Sequence, residues 1–336
     1  MQSKNNTELS IVMYHYVRDL KRSKYPEIKG LDLALFKEQI KYIKKFYNVI
    51  SAYDLFDAVV MKQFEDLPSR ALLLTFDDGY IDHYRHVFPV LAKENLPGCF
   101  FPPAKAISES KVLDVNKIHF ILANVQEKSI LVGEIFRLID IQRSSFELKP
   151  NDTYWKTLAV RTSLDSAQVM FIKRMLQFAL PSEVRHWVAD QLFKQYVSSD
   201  ETSFSSELYM SFEELTFLQN NNMYVGSHGF DHVRLNSIPA EEQKYEVDLS
   251  LGFLESIGSP VDRWMMCYPH GTYDQSLVSV LIDRNCTVGI SCSPVAFGIA
   301  DLDSDNCLTL PRLDTNDLPK CSNAEPNCWT QKVLQN

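Results

Sequence analysis

The run Ala71-Leu72-Leu73-Leu74-Thr75-Phe76 constrains the fold more than any other segment. A strand with one wet face alternates apolar and polar residues. An uninterrupted apolar strand is covered on both faces, as in a parallel sheet or barrel sheathed by helices. The surrounding sequence repeats the theme. Strand-like segments stand at 9–14, 47–50, 98–101, 223–227, 264–268, 287–291 and 308–313. Between them lie segments with apolar residues at helical spacing, at 33–46, 52–64, 80–95, 240–257 and 274–284. Strands alternating with helices imply βαβ units and an α/β fold.

Residues 104–205 break this rhythm. They hold one glycine, Gly133, and their periodic segments read as helices, among them 166–180 and 182–197 with Pro181 between. Trp155, Phe171, Met175, Phe178 and Trp187 are read as the core of that block rather than as a binding stripe. The division expected is a discontinuous barrel of 1–103 and 206–315, a helical insertion at 104–205, and a loosely docked extension at 316–336.

Charge and cysteines narrow the function classes. Lys and Arg total 34 against 43 Asp and Glu, a net charge of −9, which argues against a general nucleic-acid binder. No stretch reaches the ~20 apolar residues of a membrane span. The start, from Met1 to Glu8, is polar and is read as carrying no secretory signal. Seven cysteines with no CxxC pair suggest neither a zinc ribbon nor a redox dithiol, and are read as reduced thiols of a cytoplasmic protein.

Three clusters fall where strands end, the usual place for active sites in parallel α/β proteins. The first is Asp77-Asp78-Gly79. Two like charges beside an apolar core are costly unless a cation compensates them, so the pair is either half of a metal site or an exposed turn. The second is His228-Gly229-Phe230-Asp231-His232. Two imidazoles four apart after a strand suit a divalent ion, and Asp231 either orients one of them or faces solvent. The third is Tyr268-Pro269-His270-Gly271, a rigid loop whose backbone N–H groups can face a developing oxyanion.

In this order the clusters resemble the polysaccharide deacetylases of carbohydrate esterase family 4, with their T-F-D-D-G, H-[ST]-x-x-H and Pro-Tyr-Gly motifs. The resemblance begins at Val12-Met13-Tyr14-His15-Tyr16-Val17, resumes after the insertion, and runs to Pro311-Arg312-Leu313. It spans about two thirds of the chain. It implies a distorted (β/α) barrel of about seven strands, with a large helical insertion, holding Zn2+ or another divalent transition metal. Asp78, His228 and His232 would be the ligands and Asp77 the general base. The loop of Tyr268 and Gly271 would polarise the attacked carbonyl.

The sequence departs from the family pattern in places. Gly229 stands where a hydroxyl is usual. His270 replaces the tyrosine, and no arginine directly precedes that loop. No histidine follows His270, so the late L-x-H motif is missing. The proton donor to the leaving amine is then His270, or second His15. Arg312 lies near the place of the late motif and is grouped with Tyr268 and Gly271 as substrate-facing; it pairs with Asp77 or forms a structural salt bridge. His83 and His86 are expected at the surface, and His119 and His186 carry no role. The activity expected is removal of an N-acyl group, with acetyl first, from an amino sugar. The substrate expected is a nucleotide- or lipid-linked intermediate of surface polysaccharide such as lipopolysaccharide or capsule. Two other readings are an amidase or deformylase with a non-sugar or formylated substrate, and an inactive binding homologue.

Overall fold

A computed structural model describes residues 7–163, 165–292 and 297–335; the polar start at 1–6 lies outside them. The chain forms two compact units. The first comprises Met1–Asp19, Gly30–Ser110 and Ser206–Asn336, and the second Leu20–Lys29 and Lys111–Ser205. The insertion therefore begins several residues later than expected, and residues 20–29 join it.

The first unit is built on parallel strands β1 (Glu8–Tyr14), β2 (Ala71–Asp77), β3 (Cys99–Phe101), β4 (Tyr224–Val225), β5 (Trp264–Cys267) and β6 (Cys286–Ser291). The last wall is split into β7 (Leu310–Pro311) and β8 (Leu313–Asp314). β1 pairs with β2, β2 with β3, and β3 with β4. The order continues across a parallel bridge from Ser227 to Met266 into β5, then β6 and β7. β8 returns to β1 and closes the ring. This is a (β/α) barrel with a seam at Arg312, the one residue between β7 and β8.

Alternation along the strands decides what faces the lumen. Leu9 and Ile11, Ala71 and Leu73, Cys99 and Phe101, Met265 and Cys267, Val288 and Ile290, and Leu310 share one buried cluster. Each Leu, Ile, Val, Met or Phe among them contributes about 1.5–3 kcal/mol when buried. Continuing the alternation by two residues carries Thr75 and Arg312, and by four Asp77, into the same lumen, above the apolar layers. The intervening residues Trp264, Met266 and Tyr268 pack outward on Val247, Leu277 and Leu281 from helices Ala240–Ser256 and Gln275–Asp283.

The second unit contains helices Asp114–Asn124, Lys128–Gln142, Asn151–Leu158, Ala167–Arg174 and Ser182–Tyr196. Phe171 and Met175 are buried as expected, and Trp155 and Trp187 are half-buried. Phe178 is instead 54% exposed. A π-helical turn over Met175–Ala179 shifts the periodicity just where the α-helical spacing would have turned Phe178 inward.

The C-terminal segment is tied to the first unit, not loosely attached. Gln39 Nε2 donates to the carbonyls of Thr315 and Leu318, both at 2.9 Å. The hydroxyls of Tyr42 and Tyr47 both donate to Thr330 Oγ1, at 2.8 and 2.9 Å, in helix Cys328–Leu334.

Candidate metal centre

At the end of β2 the chain must turn out of the barrel. Asp78 and Gly79 both adopt left-handed backbone, with φ of 72° and 65°. A Cβ on Gly79 would come within 2.8 Å of Pro102, so this position requires glycine. The turn is held by the N–H of Met210, which donates to the Gly79 carbonyl at 2.9 Å. Asp78 is thereby aimed across the barrel mouth. Its Oδ2 accepts from the Tyr80 hydroxyl at 2.5 Å. Its Oδ1 is buried and accepts no hydrogen bond, yet it lies 3.4 Å from His228 Nε2 and 3.3 Å from His232 Nε2.

The two imidazoles come from the segment after β4. His228 Nδ1 lies 2.7 Å from the Cys267 carbonyl, which can only accept, so this nitrogen carries the proton and Nε2 turns toward Asp78. His232, at φ 53°, brings its ring to 4.8 Å from that of His228. One ligand atom each from Asp78, His228 and His232 lies within 4.8 Å of the others, all three residues buried. An orphaned carboxylate oxygen facing two nitrogens, one with its tautomer fixed from behind, fits a divalent ion with N/O preference. These residues form a possible Asp/His metal site.

Asp77 sits beside it inside the lumen. Arg312 grips it through both guanidinium arms, at 2.9 Å to Oδ1 and 2.8 Å to Oδ2, and also donates to Thr75 Oγ1 at 3.2 Å. Burial works against the charge on Asp77, but the guanidinium outweighs it and brings the carboxyl down to about 2. Arg312 is 1% exposed, with both arms on Asp77. It is thus a partner of the carboxylate, not the substrate-facing group expected.

The loop after β5 also corrects the sequence reading. Tyr268 is fully buried on the outer face of the barrel, where its hydroxyl donates to the Leu308 carbonyl at 2.6 Å and its N–H to the Ile290 carbonyl at 3.1 Å. The Gly271 N–H closes a turn onto the Tyr268 carbonyl at 2.9 Å. Neither residue has a donor left for an oxyanion. His270, at φ 57°, lies with its ring 4.7 Å from that of His232; burial, then the His232 charge, push its imidazole down to about 2. His15, at the end of β1, is 42% exposed and reaches 4.0 Å from Asp77 Oδ2.

Several residues were not legible from spacing. His83, expected at the surface, is fully buried, and its Nε2 bonds the His15 carbonyl at 2.9 Å. Burial pushes its imidazole down to about 4. It is placed inward by a π-helical turn over His83–Val87. His86 is half-buried. Asp231 meets no imidazole; its Oδ2 pairs with Lys105 Nζ at 2.6 Å. Tyr80, the Cys267 carbonyl and Glu246 also bear on the site; only Tyr80 stood close enough in sequence to the Asp-Asp-Gly turn to be noticed.

Fold and site together define an α/β-barrel hydrolase with an acidic and histidine cluster at the strand ends. Residues 65–124 and 184–288 match the family model for polysaccharide deacetylase, so the chain carries a polysaccharide deacetylase domain and is a hydrolase of amide (N-acetyl) bonds. The gap in that match, 125–183, falls inside the second unit. No curated protein matches the chain. Among solved structures, the fold is similar to Streptococcus pyogenes deacetylase PplD in complex with acetate, with TM-score 0.55 and 14% identity over 98% of this chain and 97% of that one. It is also similar to IcaB from Ammonifex degensii, with TM-score 0.53 and 15% identity over 97% and 96%. The de-N-acetylase from Aggregatibacter actinomycetemcomitans gives TM-score 0.53 and 14% identity over 97% and 99%. Among the described residues no helix is long and apolar enough to cross a membrane.

Proposed function

We propose that the protein is a metal-dependent N-deacylase that releases acetate from an N-acetylated amino sugar. The observation that carries this reading is the meeting of Asp78, His228 and His232 beside a second, arginine-clamped carboxylate. Asp78, His228 and His232 hold Zn2+ or another divalent transition metal. When bound, the ion supplies Lewis-acid polarisation of the amide carbonyl and of water. Asp77 takes the proton of the attacking water, and Arg312 keeps that carboxylate ionised and fixed in orientation. His15 faces solvent next to Asp77 and delivers a proton to the leaving amine. His270 serves less well as the donor, because burial beside His232 disfavours its charged form. Its backbone N–H, in a loop where those of Tyr268 and Gly271 are already engaged, is the donor available to the developing oxyanion.

The substrate proposed is a nucleotide- or lipid-linked intermediate in surface polysaccharide synthesis. The cysteines, carried as free thiols, support a reducing cytoplasmic compartment. The test is direct. Purified protein is expected to bind about one Zn2+ and to release acetate from an acetylated amino-sugar panel containing free, nucleotide-linked, lipid-linked and polymeric forms. Asp77→Asn is expected to lose that release by about a thousandfold or more while still binding metal, and His15→Ala by about a hundredfold. Zn2+ binding with no amine released from any panel member would sink the reading. Formate in place of acetate would change the acyl group.

A further inference from the structure

The segment between the two histidines offers no side chain to either imidazole from Gly229 or Asp231. Gly229 supplies none, and Asp231 turns away to Lys105. What holds it is helix Ala240–Ser256. One oxygen of Glu246, Oε2, accepts two successive backbone N–H groups, from Phe230 at 3.1 Å and Asp231 at 3.0 Å. One helical turn on, at Ser250, the hydroxyl lies 2.6 Å from Ser227 Oγ, and that oxygen in turn accepts the Gly229 N–H at 3.2 Å. Positions four apart share a helix face, so one face supports the loop at both ends. From the opposite side, the N–H groups of Ala104 and Lys105 donate to the carbonyls of Gly229 and Phe230, at 3.2 and 2.9 Å. The backbone polar groups of Gly229 and Phe230 are thus all engaged, with Gly229 at φ 70° and His232 at φ 53°.

We infer that Glu246 is a positioning residue of the metal centre, fixing the left-handed path from His228 to His232 so that both Nε2 atoms converge on Asp78. The inference rests on the proposed metal site. It makes a distinction that a general electrostatic attraction for the cation does not. The loop needs an acceptor oxygen at one place, and the charge of Glu246 is incidental. Glu246→Gln keeps a carbonyl oxygen at full side-chain length. Glu246→Asp keeps the charge but withdraws the oxygen by one methylene.

The experiment measures Zn2+ affinity by competition with a chromophoric chelator, for the wild type and both variants, with the melting temperature of each metal-free protein recorded alongside. Positioning predicts Glu246→Gln within about threefold of wild type and Glu246→Asp weaker by about tenfold or more, the range found for partners behind metal ligands. It further predicts metal-free melting temperatures that do not follow the affinity order. Equal affinities in all three proteins, or a loss in Glu246→Gln exceeding that in Glu246→Asp, would overturn it. So would an affinity loss matched by a proportional drop in metal-free stability. A wild type that binds no Zn2+ would fail the metal-site reading itself, before any variant is compared.

Discussion

Arg312 and Asp77 form a fully buried ion pair with two parallel hydrogen bonds. Removing one partner strands the other charge in the barrel. Arg312→Met is therefore expected to destabilise the fold by about 3–5 kcal/mol, and the double variant with Asp77→Asn to recover most of that loss; chemical denaturation of the four proteins checks it. His83 makes a different prediction. Its folded value, about 4, lies below the ordinary histidine value. Between pH ~6.5 and 4 the unfolded chain takes up a proton that the folded chain refuses, so stability falls as pH drops through that window. The effect is on the order of 3 kcal/mol when complete. His83→Gln is expected to flatten that part of the stability–pH curve, and an unchanged slope would refute the assignment. The residues readable in the sequence were those whose chemistry sits in short contiguous clusters: Asp77, Asp78, His228 and His232. Tyr268 was misread because Trp264–Tyr268 is apolar on both faces, so the sequence gives no sign of which residues point inward. Glu246 and His83 act through the folded backbone, which residue spacing does not encode.

At the scale of elements, the alternation of strands and helices followed from the apolar runs, because doubly covered strands leave a strong pattern. The split last wall did not, since two-residue strands on either side of one arginine carry no periodicity. The docking of helix Cys328–Leu334 was equally hidden, for it turns on two buried residues, Thr330 and Val333, that make no periodic run. Thr330→Ala leaves the buried hydroxyls of Tyr42 and Tyr47 without an acceptor. The expected cost is about 1–3 kcal/mol, with Thr330→Ser close to wild type. Urea denaturation of both variants tests this, and an equal loss in the two would point to the lost methyl group instead.

For the whole molecule, an ion held as proposed by Asp78, His228 and His232 would cross-link segments 150 residues apart in the chain. Binding only to the folded state stabilises it, by about 2.7 kcal/mol when free metal stands at a hundred times its dissociation constant. Chelation is expected to lower the melting temperature by several degrees, and Asp78→Asn to abolish the difference between metal-loaded and chelated protein. Calorimetry with and without Zn2+ reads this directly; an identical shift in Asp78→Asn would place the ion elsewhere.

The seam at Arg312 has a consequence for how the protein comes into being. Asp77 and its guanidinium are separated by 235 positions. On a ribosome adding about 5–20 residues per second, the carboxylate emerges roughly 10–50 s before its partner exists. Through that interval, sealing β2 into a lumen would enclose a carboxylate without its partner, which must then be protonated or left at a cost of several kcal/mol, so closure is favoured only once Arg312 is present. The strand that completes the ring and the cation that pairs the buried carboxylate thus arrive together, after the other strands of the barrel.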